Sequence, residues 1–181
     1  MRESSQTAEV VLVTGSSSGI GEACCKRLSR NRVVYGASRT DTKRKGWSYV
    51  KMDVTDEESV IAAINSIMLR EGRIDAVIHC AGLSLAGPVE ETTCDEAVKH
   101  FETNYFGTVR VVTAVLPIMR RQASGKIIII GSIGGLIGLP YVGHYSATKF
   151  ALDGLAEALW HEVQPFGIHV SVVHPGDINT P

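Results

Sequence analysis

Apolar residues along the chain fall into short unbroken runs separated by longer stretches of helical periodicity. Val10-Val11-Leu12-Val13 has no polar alternation, the pattern of a strand buried on both faces. A helix is expected from Ile20 to about Arg30, a strand from Arg32 to Ala37 and a third element, again a strand, from Ser48 to Met52. Thr55 and Glu58 read as a capping box that opens a helix running to about Arg70. Ile74 to His79 reads as a fourth strand. A second capping box, Thr93 with Glu96, opens a long helical region to about Gln122, with Gly125 as its stop. Pro117 lies inside that region and should kink it or remove one hydrogen bond. Lys126 to Ile130 is a fifth strand, Tyr145 to Phe166 a helix, Gly167 a turn and His169 to Val173 a sixth strand.

Strands that are apolar throughout and alternate with helices predict an α/β fold, a doubly wound parallel sheet with helices on both faces. In such sheets ligands bind beyond the carboxyl ends of the strands. Chemistry is therefore expected near residues 14–21, 38–41, 79–82, 131–132 and 174–180.

Composition narrows the class without naming it. The 181 residues are 44% hydrophobic and 20% charged, which excludes wholesale disorder and fits one domain. A formal net charge of −1 gives no global field to draw in nucleic acid or a membrane surface. The most apolar stretch, Ile127 to Pro140, is too short to span a bilayer, and the first residues lack a secretory apolar core. Cys24, Cys25, Cys80 and Cys94 have no metal-ligand spacing, so no metal is expected and the thiols read as those of a cytoplasmic protein. Glycine is the unusual count, 18 residues, pointing to tight turns or close backbone approach to a ligand.

Four motifs carry chemistry. Thr14-Gly15-Ser16-Ser17-Ser18-Gly19-Ile20-Gly21 follows the first strand and opens the first helix. Gly15 allows the turn, Gly19 lets backbone approach a pyrophosphate, and Gly21 lets the helix pack on the sheet. At the end of the second strand, Ser38-Arg39 stands where an NAD site usually has a carboxylate for the ribose 2′-hydroxyl. Arg39, Lys43, Arg44 and Lys45 against Asp41 suit an extra phosphate, so NADP(H) is favoured over NAD(H). Asp41, about twenty residues after the glycine turn, is the alternative partner for a 2′-hydroxyl, and a merely solvated basic loop is a third reading.

Tyr145 and Lys149 stand four residues apart, on one face of the predicted helix. A phenol titrates near ~10 and is a poor proton carrier at neutral pH. A fixed ammonium beside it, with an oxidised nicotinamide, would favour the phenolate. Ser132 follows the fifth strand, where its hydroxyl could donate to a carbonyl oxygen gaining charge; a turn-forming serine is the plainer reading. Asn104 is polar inside an apolar helical region, which a satisfied interior amide would also explain.

Together these residues resemble the short-chain dehydrogenase/reductase family, over Val10 to Thr180 and in the family's motif order. The resemblance implies a Rossmann-like fold and a tetrad of Asn104, Ser132, Tyr145 and Lys149. Asn104 would position a water that relays protons to solvent. The resemblance also implies that cofactor is bound by Gly15, Ser17, Ser18, Gly19, Ile20 and Gly21, with Ser38 and Arg39. Asp53 and Val54, Ala81 and Gly82, and Pro175, Gly176, Ile178 and Thr180 would complete that site, with Tyr145 and Lys149. Gly131 to Leu155 looks most like the steroid- and retinol-active branches.

The expected activity is interconversion of a hydrophobic alcohol with a ketone or aldehyde, in a homodimer or homotetramer. The alternative is a non-catalytic dinucleotide-binding or redox-sensing module. Ala147, Ala151, Gly154 and Ala158 form a small-residue stripe, serving either that assembly or close packing on the protein's own sheet. The sequence departs from the family at His79-Cys80-Ala81-Gly82, where members carry Asn-Asn-Ala-Gly. His79 is expected to pack or hydrogen-bond, and His144 to lie in a loop, with a place bordering the substrate as the alternative. Family members continue with a substrate lid, a helix and a seventh strand, so residues 1–181 are expected to be a single domain lacking the C-terminal end of the fold.

Overall fold

A computed structural model describes residues 8–43 and 46–178. Six strands form one sheet in the order β3-β2-β1-β4-β5-β6, every neighbouring pair parallel. They are β1 (Val10–Thr14), β2 (Val33–Ser38), β3 (Ser48–Lys51), β4 (Ala76–His79), β5 (Gly125–Ile130) and β6 (Ile168–Val173). The helices are α1 (Gly19–Leu28), α2 (Glu57–Glu71), α3 (Cys94–Phe101), α4 (Gly107–Gln122) and α5 (Gly143–Val163). A π-helical turn, Glu102–Phe106, joins α3 to α4. None of the described helices is long and apolar enough to cross a membrane.

The continuous apolar strands are explained by burial on two sides. Val10 and Leu12 of β1 enter the larger core with Val60, Ile64, Val111, Ile127 and Leu152, which come from α2, α4, β5 and α5. Val11 and Val13 point the other way, into a smaller core with Cys25 of α1, Val34 and Ala76. The two layers are unequal: three helices feed the first core and α1 alone feeds the second. On the α1 side, Ile128 and Ile130 are half-buried and Val173 is exposed.

Local signals differ from expectation at three ends. Asp56, not Thr55, caps α2, its carboxylate accepting from Glu58 N and Ser59 N at 3.0 and 3.3 Å. Thr55 is diverted because its hydroxyl donates to Asp53 Oδ1 at 2.8 Å. The Thr93–Glu96 box forms as expected on α3. Helix α4 ends on Ala123 in the left-handed region, φ 51°, rather than at Gly125. Gly125 begins β5, where the Met119 side chain occupies the space a Cβ would need. Pro117 is accommodated within α4 at an exposed position. Helix α5 starts at Gly143, so His144 lies in its first turn and not in a loop.

Candidate active site

The carboxyl ends of β1, β4, β5 and β6 surround a cavity of about 400 Å³. The glycine turn supplies Gly15, Ser17, Ser18, Gly19, Ile20 and Gly21. Cys80, Ala81 and Gly82 come from the end of β4, Ser132 from the end of β5, and Pro175, Gly176 and Ile178 from beyond β6. Tyr145 and Lys149 reach in from the first two turns of α5. An adjoining cavity of about 170 Å³ holds Ser38 and Arg39 after β2, and Asp53 and Val54 after β3. Gly15, Ser17, Ala81 and Gly82 border both. All cofactor positions expected from sequence therefore converge except Thr180, which lies outside the described residues, as do Arg44 and Lys45.

Backbone geometry makes this cleft suited to a phosphate-bearing ligand. Gly15 has φ 64°, and a Cβ on it would sit 2.8 Å from Ala81 N. A Cβ on Gly21 would lie 2.7 Å from Gly15 C. The turn can thus lie flush against both β4 and the helix start only as glycine. Ser18 at the N-cap of α1 makes no side-chain cap, so the first amide groups are free for a ligand at the positive end of the helix. The residues present fit a dinucleotide laid across the two cavities.

Below the cavity floor, Thr14 organises the end of β4. Its Oγ1 accepts from Cys80 N and Ala81 N, at 3.2 and 3.1 Å, and therefore donates to His79 Nδ1 at 3.0 Å. His79 is consequently a hydrogen-bonding residue, with its Nε2 buried and unpartnered. Burial, then the nearby Lys149 charge, pushes its pKa down to about 3.

Lys149 is 6% exposed and donates from Nζ to Ile130 O at 2.7 Å. Its Nζ lies 5.6 Å from the Tyr145 ring centroid, on the same side of the helix. Burial lowers the Lys149 pKa to about 8, with Cys80 and Asp153 opposing that shift. Ser132 Oγ accepts from Gly134 N at 3.0 Å, so it does cap a short turn. That contact uses a lone pair and leaves the hydroxyl proton free for a ligand.

Asn104 does not line either cavity. Its Oδ1 accepts from Leu83 N at 2.8 Å, and its Nδ2 donates to Leu83 O and Thr148 Oγ1 at 2.9 and 3.1 Å. The amide is spent on joining the chain after β4 to α5. The Asn104 carbonyl accepts from Thr108 Oγ1 at 2.7 Å.

At the outer cavity, Arg39 is exposed, and its charge adds to the Thr55 hydrogen bonds that hold the Asp53 carboxyl below its ordinary value. Asp41 does not line the cavity; its Oδ1 accepts from Lys43 N at 2.7 Å. Sequence reading missed Leu83 and Ser84 in the cavity wall and the Thr14–His79 contact, whose partners are 65 positions apart.

Two further segments, one after Ser84 and one before α5, are tied to each other. Tyr141, at φ 64°, accepts from Gly87 N through its carbonyl at 2.7 Å. Around that tie Leu85, Val89, Ile137 and Tyr141 are exposed. On α5, Ala147, Gly154 and Ala158 face outward and Ala151 is half-buried, so the stripe does not pack on the protein's own sheet.

Comparison with known proteins is consistent with this architecture. The pattern describing the short chain dehydrogenase family matches residues 9–181. A 3-ketodihydrosphingosine reductase of Bacteroides thetaiotaomicron is 45% identical over 174 residues, 95% of this chain and 65% of that protein. The 17-beta-hydroxysteroid dehydrogenase type 1 of Homo sapiens is 40% identical over 190 residues, 94% of this chain and 57% of that protein. The solved structure of ElxO with NADP bound superposes with a TM-score of 0.91 at 34% identity, covering 96% of this chain and 75% of that one. The chain thus spans about two thirds or less of the length of these two curated relatives.

Proposed function

The chain belongs to the short chain dehydrogenase family, and on that premise we propose that it is an oxidoreductase interconverting an alcohol and a ketone or aldehyde with NADP(H). The observation that carries the reading is the meeting of Tyr145, Lys149 and Ser132 in one cavity with an uncapped glycine turn. A nicotinamide dinucleotide bound there supplies or accepts the hydride.

Every other step belongs to side chains of this chain. The Tyr145 hydroxyl gives its proton to the substrate carbonyl oxygen in reduction and takes the alcohol proton in oxidation. The Ser132 hydroxyl donates to the same oxygen, which gains negative charge as the carbonyl is reduced. The Lys149 ammonium favours the Tyr145 phenolate and holds ribose hydroxyls. Asn104 fixes Leu83 and Thr148, and so the spacing between the cavity wall and α5.

The glycine turn holds the pyrophosphate, with Ala81 and Gly82 along the dinucleotide. Asp53 and Val54 border the adenine, and Pro175, Gly176 and Ile178 the nicotinamide. Arg39 pairs with a 2′-phosphate, a reading supported by its place beside Ser38 where a carboxylate would serve a 2′-hydroxyl.

A hydrophobic substrate is supported by the ketosphingoid and steroid names of the two curated relatives. The outward stripe on α5 favours a homodimer built through that helix, in a cytoplasmic protein whose catalytic chemistry lies in one domain. Light scattering that finds only monomer at micromolar concentration overturns the dimer.

The test is NADPH consumption with a panel of hydrophobic ketones. The wild type turns over, and Tyr145→Phe binds NADPH normally but loses about 10²- to 10⁴-fold in turnover. Full turnover by Tyr145→Phe refutes the role of the phenol. Tight NADPH binding with no turnover on any carbonyl favours the binding-module reading instead.

A further inference from the structure

Asp153 sits four residues after Lys149 on α5, and the mechanism above gives it no part. Its Oδ1 accepts from His174 Nε2 at 2.7 Å. His174 is the first residue after β6 and immediately precedes Pro175 and Gly176 of the cavity wall. The pair is sheltered, with the His174 and Asp153 side chains 25% and 27% exposed.

The second carboxylate oxygen is buried and has no partner. It lies over Gly135, where a Cβ would be 2.7 Å from it and 3.2 Å from Lys149 Cβ. The His174 ring covers Gly131 in the same manner, with Cδ2 3.1 Å from where a Cβ would stand. One acidic side chain therefore touches three parts of the site: the helix of Tyr145 and Lys149, the turn after Ser132, and the segment after β6. Two backbone hydrogen bonds run alongside, Gly131 N to Val173 O at 2.8 Å and Ile133 N to Pro175 O at 3.0 Å. Those hold residues 173 and 175; beyond them only the His174 side chain ties this segment to α5 among the described hydrogen bonds.

We propose that Asp153 and His174 are positioning residues, a latch that holds the segment of Pro175, Gly176 and Ile178 against α5 and thereby sets where the nicotinamide half of the cofactor rests. The proposal rests on the dinucleotide reading of the cleft. Neither residue touches the reacting atoms. Their effect passes through backbone that the latch keeps in place. A hydrogen bond to a charged carboxylate is strong enough to decide the position of so short a segment.

The experiment compares wild type with His174→Ala, Asp153→Ala and His174→Gln, the last keeping an amide N–H for Asp153. Amide exchange is first measured without cofactor. The two alanine variants exchange the Gly131 and Ile133 amides, which donate to residues 173 and 175, about tenfold faster while the protection of α1 is unchanged, and His174→Gln stays near wild type. Affinity is then measured for NADPH or NADH, whichever wild type binds more tightly, and for its adenosine half, 2′,5′-ADP or ADP. The alanine variants lose about tenfold for the whole dinucleotide and nothing for the half.

Equal exchange and equal affinities across all four proteins overturn the latch. So does weakening of both ligands together, which reports general loss of structure, or a His174→Gln variant as impaired as His174→Ala. If wild type binds neither dinucleotide, the cofactor reading falls and the placement of the nicotinamide with it. The exchange measurement then still decides whether the pair holds the segment.

Discussion

At the inner end of the cleft Lys149 is buried and bonded to a backbone carbonyl, Ser132 is fixed by Gly134 N, and the floor is a closed set of bonds through Thr14. At the outer end Arg39 is exposed, and the Ser38 hydroxyl donates to the Thr40 carbonyl, 2.8 Å away. The inner end is held from several elements at once, whereas the outer end hangs on loops after β2 and β3. On the proposed function, the reaction type rests on buried, mutually dependent positions, while the choice between two nearly identical cofactors falls to a side chain on the surface. Changes at the inner end should cost chemistry and stability together. Changes at the outer end should alter preference alone.

That contrast can be broken in order of expected effect. Tyr145→Phe removes the proposed proton carrier and should give the largest loss in turnover. Ser132→Ala should follow, at about 10²- to 10³-fold in kcat, since one donor to a developing oxyanion is lost. Steady-state kinetics at saturating cofactor checks both, and a kcat within threefold of wild type for Ser132→Ala would detach that residue from the chemistry.

The floor of the inner end should reveal itself in acid. His79 takes a proton in the folded protein only near pH 3, whereas an unfolded imidazole does so near ~6.5. Below ~6.5 the unfolded state binds the proton first, so stability falls with pH by about 1.4 kcal/mol per unit. The loss begins at the unfolded value and continues down to the folded one. Denaturant titration from pH 7 to 5 should show this slope, and His79→Asn should flatten it. The smallest effect belongs to the outer end. Arg39→Ala should weaken NADPH binding about tenfold, leave NADH binding unchanged and leave kcat at saturation intact. An equal loss for both cofactors would erase the distinction between the two ends.

The same contrast explains how much the sequence discloses. β1 and β5 are readable because burial on two faces demands uninterrupted apolar residues. Gly15 and Gly21 are readable because no other residue fits where they stand. Tyr145 and Lys149 are readable because helical spacing is a local property. Thr14 with His79, and Asp153 with His174, are closed by the fold between residues 65 and 21 positions apart, and nothing local announces either contact. Asn104 is readable as a satisfied interior amide, but its partners Leu83 and Thr148 are not, since they lie on other elements. Helix ends were misplaced where one side chain had two uses. Thr55 was claimed by Asp53, and Gly125 was required by Met119.

The π-helical turn at Glu102–Phe106 places one more residue in the backbone loop than regular helix would. Each residue of a helix advances the face by about 100°. Losing a single codon in this stretch would swing the Asn104 amide off Leu83 and Thr148 while leaving composition almost untouched. On the proposed function, length at this point therefore matters as residue identity does at Ser132, Tyr145 and Lys149, and an insertion or deletion tolerated on the surface loops should cost the site its geometry here.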